Sequence, residues 1–202
     1  MPASDDGRAD GPADGPADGP AEPSTTTLVV MGVSGSGKST TAAELVRRLG
    51  WDFAEGDDFH PRSNVAKMHA GIPLDDEDRW PWLRALAEWI GRHEEEGRSA
   101  VVTCSALKRS YRDLLRDGHP SVWFAHVDED PALIRERIED RTGHYMPASL
   151  LDSQLATLEP LQPDEPGAVV DGSGPPDEVV DELLRDLAAA RGQSVSALED
   201  QS

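Results

Sequence analysis

Two groups of residues in this sequence have the types and spacing for phosphate chemistry. Residues 32 to 39 read Gly-Val-Ser-Gly-Ser-Gly-Lys-Ser, a full match to the pattern G-x-x-x-x-G-K-[ST]. Small residues let the backbone curl until successive N–H groups converge on one cavity, where a phosphate can sit. Gly32, Gly35 and Gly37 permit that curl, and Val33, Ser34, Ser36 and Thr40 complete the cradle. Lys38 is spaced to reach the β- and γ-phosphates of a nucleotide, and the Ser39 hydroxyl to ligate Mg²⁺. The second group is Glu55-Gly56-Asp57-Asp58-Phe59-His60. Phosphoryl transfer to an alcohol needs a carboxylate that orients the acceptor hydroxyl or takes its proton. Asp57 is the first choice for that role, and Asp58 serves equally well as a helix cap.

A strand before the loop and a helix after it must hold these groups. Thr27 to Val33 is β-branched and apolar, and Thr40 to Leu49 carries Ala42, Leu45, Val46 and Leu49 at helical spacing. Apolar runs near 27–33, 52–55, 99–104, 121–127 and 167–171 alternate with helical patterns, the signature of an α/β fold with a parallel sheet. Helices are expected over Pro61 to Ala70, from near Asp78 towards Gly97 with Pro81 in the first turn, and roughly over 108–117, 131–141, 147–158 and 177–190. Asp130-Pro131 reads as an N-cap followed by the first helical position. Thr142 to Met146, between two helices, is a candidate lid. Ligands of open parallel sheets bind beyond the carboxyl ends of the strands, so the acids at 55–58 should face the phosphate loop across a cleft.

The 202 residues suit one domain. Residues 1–26 read as a disordered acidic tail with tandem Asp-Gly-Pro-Ala copies, 27–190 as the folded domain and 191–202 as a second loose end. A formal charge of -20 repels nucleic acid, so an anionic substrate needs a local cluster of cations. The single Cys104 allows no intrachain disulfide, and no Cys/His spacing suggests zinc. The start lacks the pattern of a signal peptide and the apolar stretches are too short to span a bilayer, so a soluble, cytoplasmic protein without a membrane partner is expected.

No Asn-Lys-x-Asp motif marks a GTPase, and no Leu-Ser-Gly-Gly-Gln segment marks a transporter ATPase. The middle strand closes without a carboxylate, and Asp128 serves equally as a cap or as a Mg²⁺ partner. The segments MGVSGSGKST (31–40), GDDFHPRSNVAKMHAGIPLDDEDRWPWL (56–83), CSALKRSYRDLLR (104–116) and GHYMPASLLDSQLATLEPL (143–161) resemble the gluconokinases of the thermoresistant type. The resemblance runs in order over about 27 to 190. It implies transfer of the ATP γ-phosphate to the 6-hydroxyl of D-gluconate, giving 6-phosphogluconate and ADP. It also implies Mg²⁺ as cofactor, a homodimer, and a three-layer α/β/α P-loop kinase fold. That fold has a short lid and a five-stranded parallel sheet in the order 2-3-1-4-5, as in shikimate and nucleoside monophosphate kinases.

Gluconate is a small polyhydroxylated carboxylate, and its pocket needs a cation at one end and hydrogen-bonding groups along the chain. Lys108, Arg109 and Arg112 stand just beyond the middle strand, and Arg109 is the first choice to hold the carboxylate. His60, Asn64 and Lys67 share one helical face that could meet the hydroxyls. Arg79 touches substrate or anchors its helix. The tryptophans at 80, 82 and 89 and Met68 read as packing. Arg137 and Arg141, four apart before the candidate lid, could close onto the phosphates, Arg137 at the transferring group. By fold analogy Arg141 stacks on adenine opposite the loop carrying Pro175. His144 and Gln154 are further lid or substrate contacts. Two other readings stay open: a kinase of another hydroxy acid such as shikimate, and a regulatory module that binds ATP without turnover.

Overall fold

The computed structural model describes residues 25–140 and 148–200. The acidic tail falls outside them up to residue 24, as do the candidate lid Thr142–Met146, Arg141 and His144. Thr25 and Thr26, counted with the tail on sequence, are buried, and the Thr26 amide donates to Ser99 Oγ at 3.1 Å.

The chain runs β1 (Thr27–Met31), α1 (Lys38–Leu49), β2 (Asp52–Glu55), a 3₁₀ turn (Gly56–Phe59), α2 (Arg62–His69), α3 (Asp76–Glu95), β3 (Ala100–Thr103), α4 (Arg109–Arg116) and β4 (Val122–Asp128). It continues with α5 (Pro131–Asp140), α6 (Ala148–Thr157), β5 (Gly167–Asp171), α7 (Pro176–Ala190) and α8 (Val195–Glu199). The strands form one sheet in the order β2-β3-β1-β4-β5, every neighbouring pair parallel, as the resemblance implied. Side chains of a strand alternate between faces, so a central strand feeds two cores. On β1, Leu28 and Val30 pack with Leu45 and Leu49 of α1 and Val180, Leu184 and Leu187 of α7. Val29 and Met31 pack on the other face with Leu83, Leu86 and Ile90 of α3 and Tyr111 and Leu115 of α4. Because all strands run the same way, the carboxyl ends Met31, Glu55, Thr103, Asp128 and Asp171 share one edge.

Helix α3 starts two residues before the expected Asp78. The Asp75 side chain accepts from the Asp78 amide at 2.9 Å, and the Asp78 carboxylate accepts from the Asp75 amide at 3.1 Å. This reciprocal capping box fixes the start, and Pro81 then sits on an exposed interior position rather than in the first turn. Asp130 caps α5 as expected, its Oδ1 accepting from the Ala132 amide at 2.7 Å. Beyond Arg191, where a loose end was expected, Ser194 caps α8, Leu198 is buried in the core and Glu199 accepts from Arg48.

Arg112, one of the three cations beyond β3, belongs to the frame. Its guanidinium is fully buried, clasps Glu165 at 2.6 and 2.9 Å and donates to the carbonyls of Ala106, Glu159 and Pro160. Burial opposes ionisation of Glu165, but the Arg112 bond holds its carboxyl below the usual range. Removing the arginine leaves a buried unpaired carboxylate. Arg112→Met is expected to lower the unfolding free energy by about 3–5 kcal/mol at neutral pH, read by urea titration.

Candidate active site

The phosphate loop connects β1 to α1 through Gly32, Gly35 and Gly37, at φ of 138°, 84° and 95°. A Cβ on Gly32 would stand 2.6 Å from the Val127 carbonyl, so glycine is required there by closeness as well as by φ. Lys38 opens α1 and folds back to donate to the Val33 carbonyl at 2.8 Å. Burial pushes its ammonium below the ordinary value, while Asp57 and Glu55 pull it up. Ser36 Oγ is buried inside the loop with no hydrogen-bond partner in the described structure, an unmet polar group where a phosphate oxygen would sit. The loop after β5, which ends at the exposed Pro175, lies against the same motif: a Cβ on Gly172 would stand 2.9 Å from the Ser36 carbonyl.

The acids after β2 are positioned by Gly56. Its missing Cβ would lie 1.9 Å from the Thr103 carbonyl, so a side chain cannot pass the end of β3 here. The Gly56 amide donates to Thr103 Oγ1 at 3.1 Å, and Trp82 Nε1 donates to the Gly56 carbonyl at 2.7 Å. This clamp separates two roles. Glu55, before the glycine, accepts from the Thr103 hydroxyl with Oε1 and from Ser39 Oγ with Oε2 at 3.3 Å. Asp57, after it, keeps a largely exposed carboxylate at a cavity that also takes in Ser34 and Lys38.

That cavity is lined further by His60, Arg79, Trp82 and Gln154. The Asn64 amide donates to the Asp78 carbonyl at 2.7 Å and lies 3.3 Å from His60 Nδ1. Since an amide NH₂ only donates, Nδ1 accepts and Nε2 carries the proton, 3.9 Å from Asp57 Oδ1. The ring stacks on Trp82 with centroids 4.2 Å apart. Burial, then the charge of Arg79, push the imidazole down to about 4, so it is neutral near pH 7. The unfolded chain takes up this proton near the ordinary value of 6.5 and the folded chain refuses it until about 4, so stability falls as pH drops through that window. His60→Gln is expected to lose less stability between pH 7 and 5 than the parent, as read by paired urea titrations. An equal loss would mean that His60 is not the group.

Arg79 stands in the first turns of α3, 8 % exposed. One terminal nitrogen donates to the Leu74 carbonyl at 3.2 Å, and Nε has no partner in the described structure. Arg79 lines the cavity, and a largely buried guanidinium there with an unmet donor suits a carboxylate.

Of the residues expected to meet substrate, Asp57, His60, Arg79 and Gln154 line this cavity, and Met68, expected in the core, joins them. Lys67, Lys108 and Arg109 are turned to acids instead. Lys67 bonds both Asp78 oxygens at 2.6 Å, Lys108 bonds Asp76 at 2.8 and 2.9 Å, and Arg109 clasps Asp164 with two bonds of 2.7 Å. Arg109 thus does not face the cavity, and Arg79 does. Asn64 is buried as the tie between His60 and α3. Arg137, expected at the transferring phosphate, donates to the buried Glu129 at 2.6 Å. Glu55, one of the acids expected to face the phosphate loop, does so as the partner of Ser39, while Thr103 carried no signal in the sequence. Among the described residues no group of three or more His, Cys, Asp or Glu could hold a metal by itself. The Ser39–Glu55 pair fits a Mg²⁺ that takes its remaining ligands from phosphates and water.

A family model described as an AAA domain matches residues 28–161. The gluconokinase of Gluconobacter oxydans (strain 621H) is 52% identical over 162 residues, covering 80% of this chain and 91% of that protein. Among solved structures, an unliganded sugar kinase from Janibacter sp. HTCC2649 superposes with a TM-score of 0.78 at 54% identity, covering 84% of this chain and 98% of its own. A gluconokinase from Sinorhizobium meliloti 1021 superposes with a TM-score of 0.74 at 43% identity, covering 85% and 96%.

Proposed function

The chain belongs to the gluconokinase family, and we propose that it transfers the γ-phosphoryl group of ATP to the 6-hydroxyl of D-gluconate, giving 6-phosphogluconate and ADP. The observation that carries this reading is the single cavity in which the phosphate loop residues Ser34 and Lys38 meet the acid Asp57 and the buried cation Arg79. Such a cavity offers a donor phosphate, an acceptor-side base and a carboxylate anchor together.

The loop amides and Lys38 hold the phosphates, and the ammonium leaves the Val33 carbonyl for the transferring group. Arg79 takes the gluconate carboxylate with its guanidinium. Asp57 accepts the hydrogen bond of the 6-hydroxyl and its proton as the oxygen bonds to phosphorus. His60, neutral and protonated on Nε2, presents that N–H to the same region, 3.9 Å from Asp57 Oδ1. Ser39 and Glu55 would hold Mg²⁺, which when bound neutralises charge on the β- and γ-phosphate oxygens. Arg137 and Arg141 remain the reading for the phosphate and adenine side, with Pro175 at the base, and His144 for a lid contact.

A cytoplasmic homodimer completes the proposal, the dimer on the strength of the resemblance; among the described residues no helix is long and apolar enough to cross a membrane. Sedimentation equilibrium reads the oligomer. The position of transfer is tested by ¹³C and ³¹P NMR of the reaction mixture. A phosphorus coupling on the C6 carbon of gluconate is expected, and an ester at another carbon would contradict the assignment of Asp57.

A further inference from the structure

Helix α6 packs Leu151 and Leu155 against Val33 of the phosphate loop and Ile134 of α5, and from the same helix Gln154 reaches the loop itself. Its Oε1 accepts from the Ser34 backbone N–H at 2.7 Å. Within the motif from Gly32 to Ser39, Ser34 and Lys38 are the residues that also line the acceptor cavity. Transfer in line with an acceptor hydroxyl puts the γ-phosphoryl group at that boundary, whereas the inner phosphates sit deeper, toward Ser36 and the start of α1. The Ser34 N–H is therefore a γ-phosphate donor, and here a side chain holds it.

We propose that Gln154 is a positioning residue that competes with the γ-phosphoryl group of ATP for the Ser34 N–H, and that its displaced carboxamide turns to the hydroxyls of the acceptor in the same cavity. One N–H does not serve two acceptors at full strength, so the contact weakens a nucleoside triphosphate and leaves a diphosphate untouched. An acceptor that engages the carboxamide relieves the competition, and by linkage acceptor and triphosphate strengthen each other. This rests on the reading of the cavity as the acceptor site of a kinase.

The test is calorimetric titration of the full chain with Mg²⁺ and either ADP or the β,γ-imido analogue of ATP, using wild type, Gln154→Ala and Gln154→Glu, each first checked by its melting curve. Gln154→Ala is expected to bind the triphosphate analogue roughly fivefold more tightly, the worth of one neutral hydrogen bond, with ADP affinity unchanged. Gln154→Glu, which places a carboxylate against the γ-phosphate, should bind the analogue more weakly and ADP nearly as before. Opposite signs in the two variants, confined to the triphosphate, are what a merely structural residue would not produce. Equal shifts for ADP and the analogue, or none in Gln154→Ala, would overturn the competition. Added gluconate should tighten the analogue in wild type and not in Gln154→Ala; no effect in wild type overturns the coupled half. The nucleotide arms contain no acceptor, so their failure counts against Gln154 and not against the identity of the substrate.

Discussion

Asp57→Asn is expected to lower turnover by about 10²- to 10⁴-fold while binding ATP much as the parent does. The amide keeps the shape and can still lie along the acceptor hydroxyl, but it cannot take the proton. The side chain is largely exposed, and among the described residues its ionisable contact within 4 Å is the neutral His60, at 3.9 Å. Melting temperature should therefore stay close to that of the parent. The charge of Asp57 acts on Lys38, so its loss removes the largest of the influences that keep the ammonium protonated. A modest change in nucleotide affinity fits that; a loss of ATP binding as large as the loss of turnover would show that the acid serves the nucleotide site instead. Single-turnover kinetics with a separately measured ATP dissociation constant distinguishes the two.

Arg79→Met is expected to raise the KM for gluconate by about 30- to 150-fold, the value of a charge-assisted hydrogen bond of roughly 2–3 kcal/mol, with the KM for ATP little changed. The stability prediction has the opposite character from that for Arg112. Arg112 satisfies Glu165, so its loss orphans a buried charge. Arg79 is itself the group with an unmet donor, so replacing it with a long apolar side chain should leave unfolding free energy equal or slightly higher. Arg79→Lys should recover little affinity, because an ammonium does not reproduce the planar fork on a carboxylate. If Arg109→Met rather than Arg79→Met raised the gluconate KM, the carboxylate would bind outside the cavity described here, at the site now closed by Asp164.

The donor half of the site was legible in the sequence because a phosphate loop is a local object: glycines at fixed spacing, a strand before and a helix after. The sheet was legible for a similar reason, since β1, β3 and β4 are short apolar runs buried on both faces. The acid Asp57 could be named because strand ends converge in a parallel sheet. The cations were harder. With 39 acidic residues against 19 lysines and arginines, most cations find an acid nearer than the substrate. Which acid it is depends on long-range packing: Asp164 lies 55 positions from Arg109, and Asp76 lies 32 from Lys108. Spacing along one helix cannot show either. The start of α3 was readable in principle, as Asp75-x-x-Asp78 carries a capping box, but the run of four acids obscured which one begins the helix. The role of Gly56 was hidden for a different reason: the closeness that would put a Cβ 1.9 Å from the Thr103 carbonyl belongs to the pairing of β2 with β3, not to the residues around the glycine.

The measurement that bears most directly on the whole account is ADP formation by the purified full chain with ATP and Mg²⁺, in parallel with D-gluconate, with shikimate, with other sugar acids and with no acceptor. Turnover that depends on gluconate, with near silence in the absence of an acceptor and with shikimate, is the predicted result. Turnover preferring another acid would contradict the substrate assignment, and no turnover with any acceptor would contradict the reading of the cavity as a kinase site.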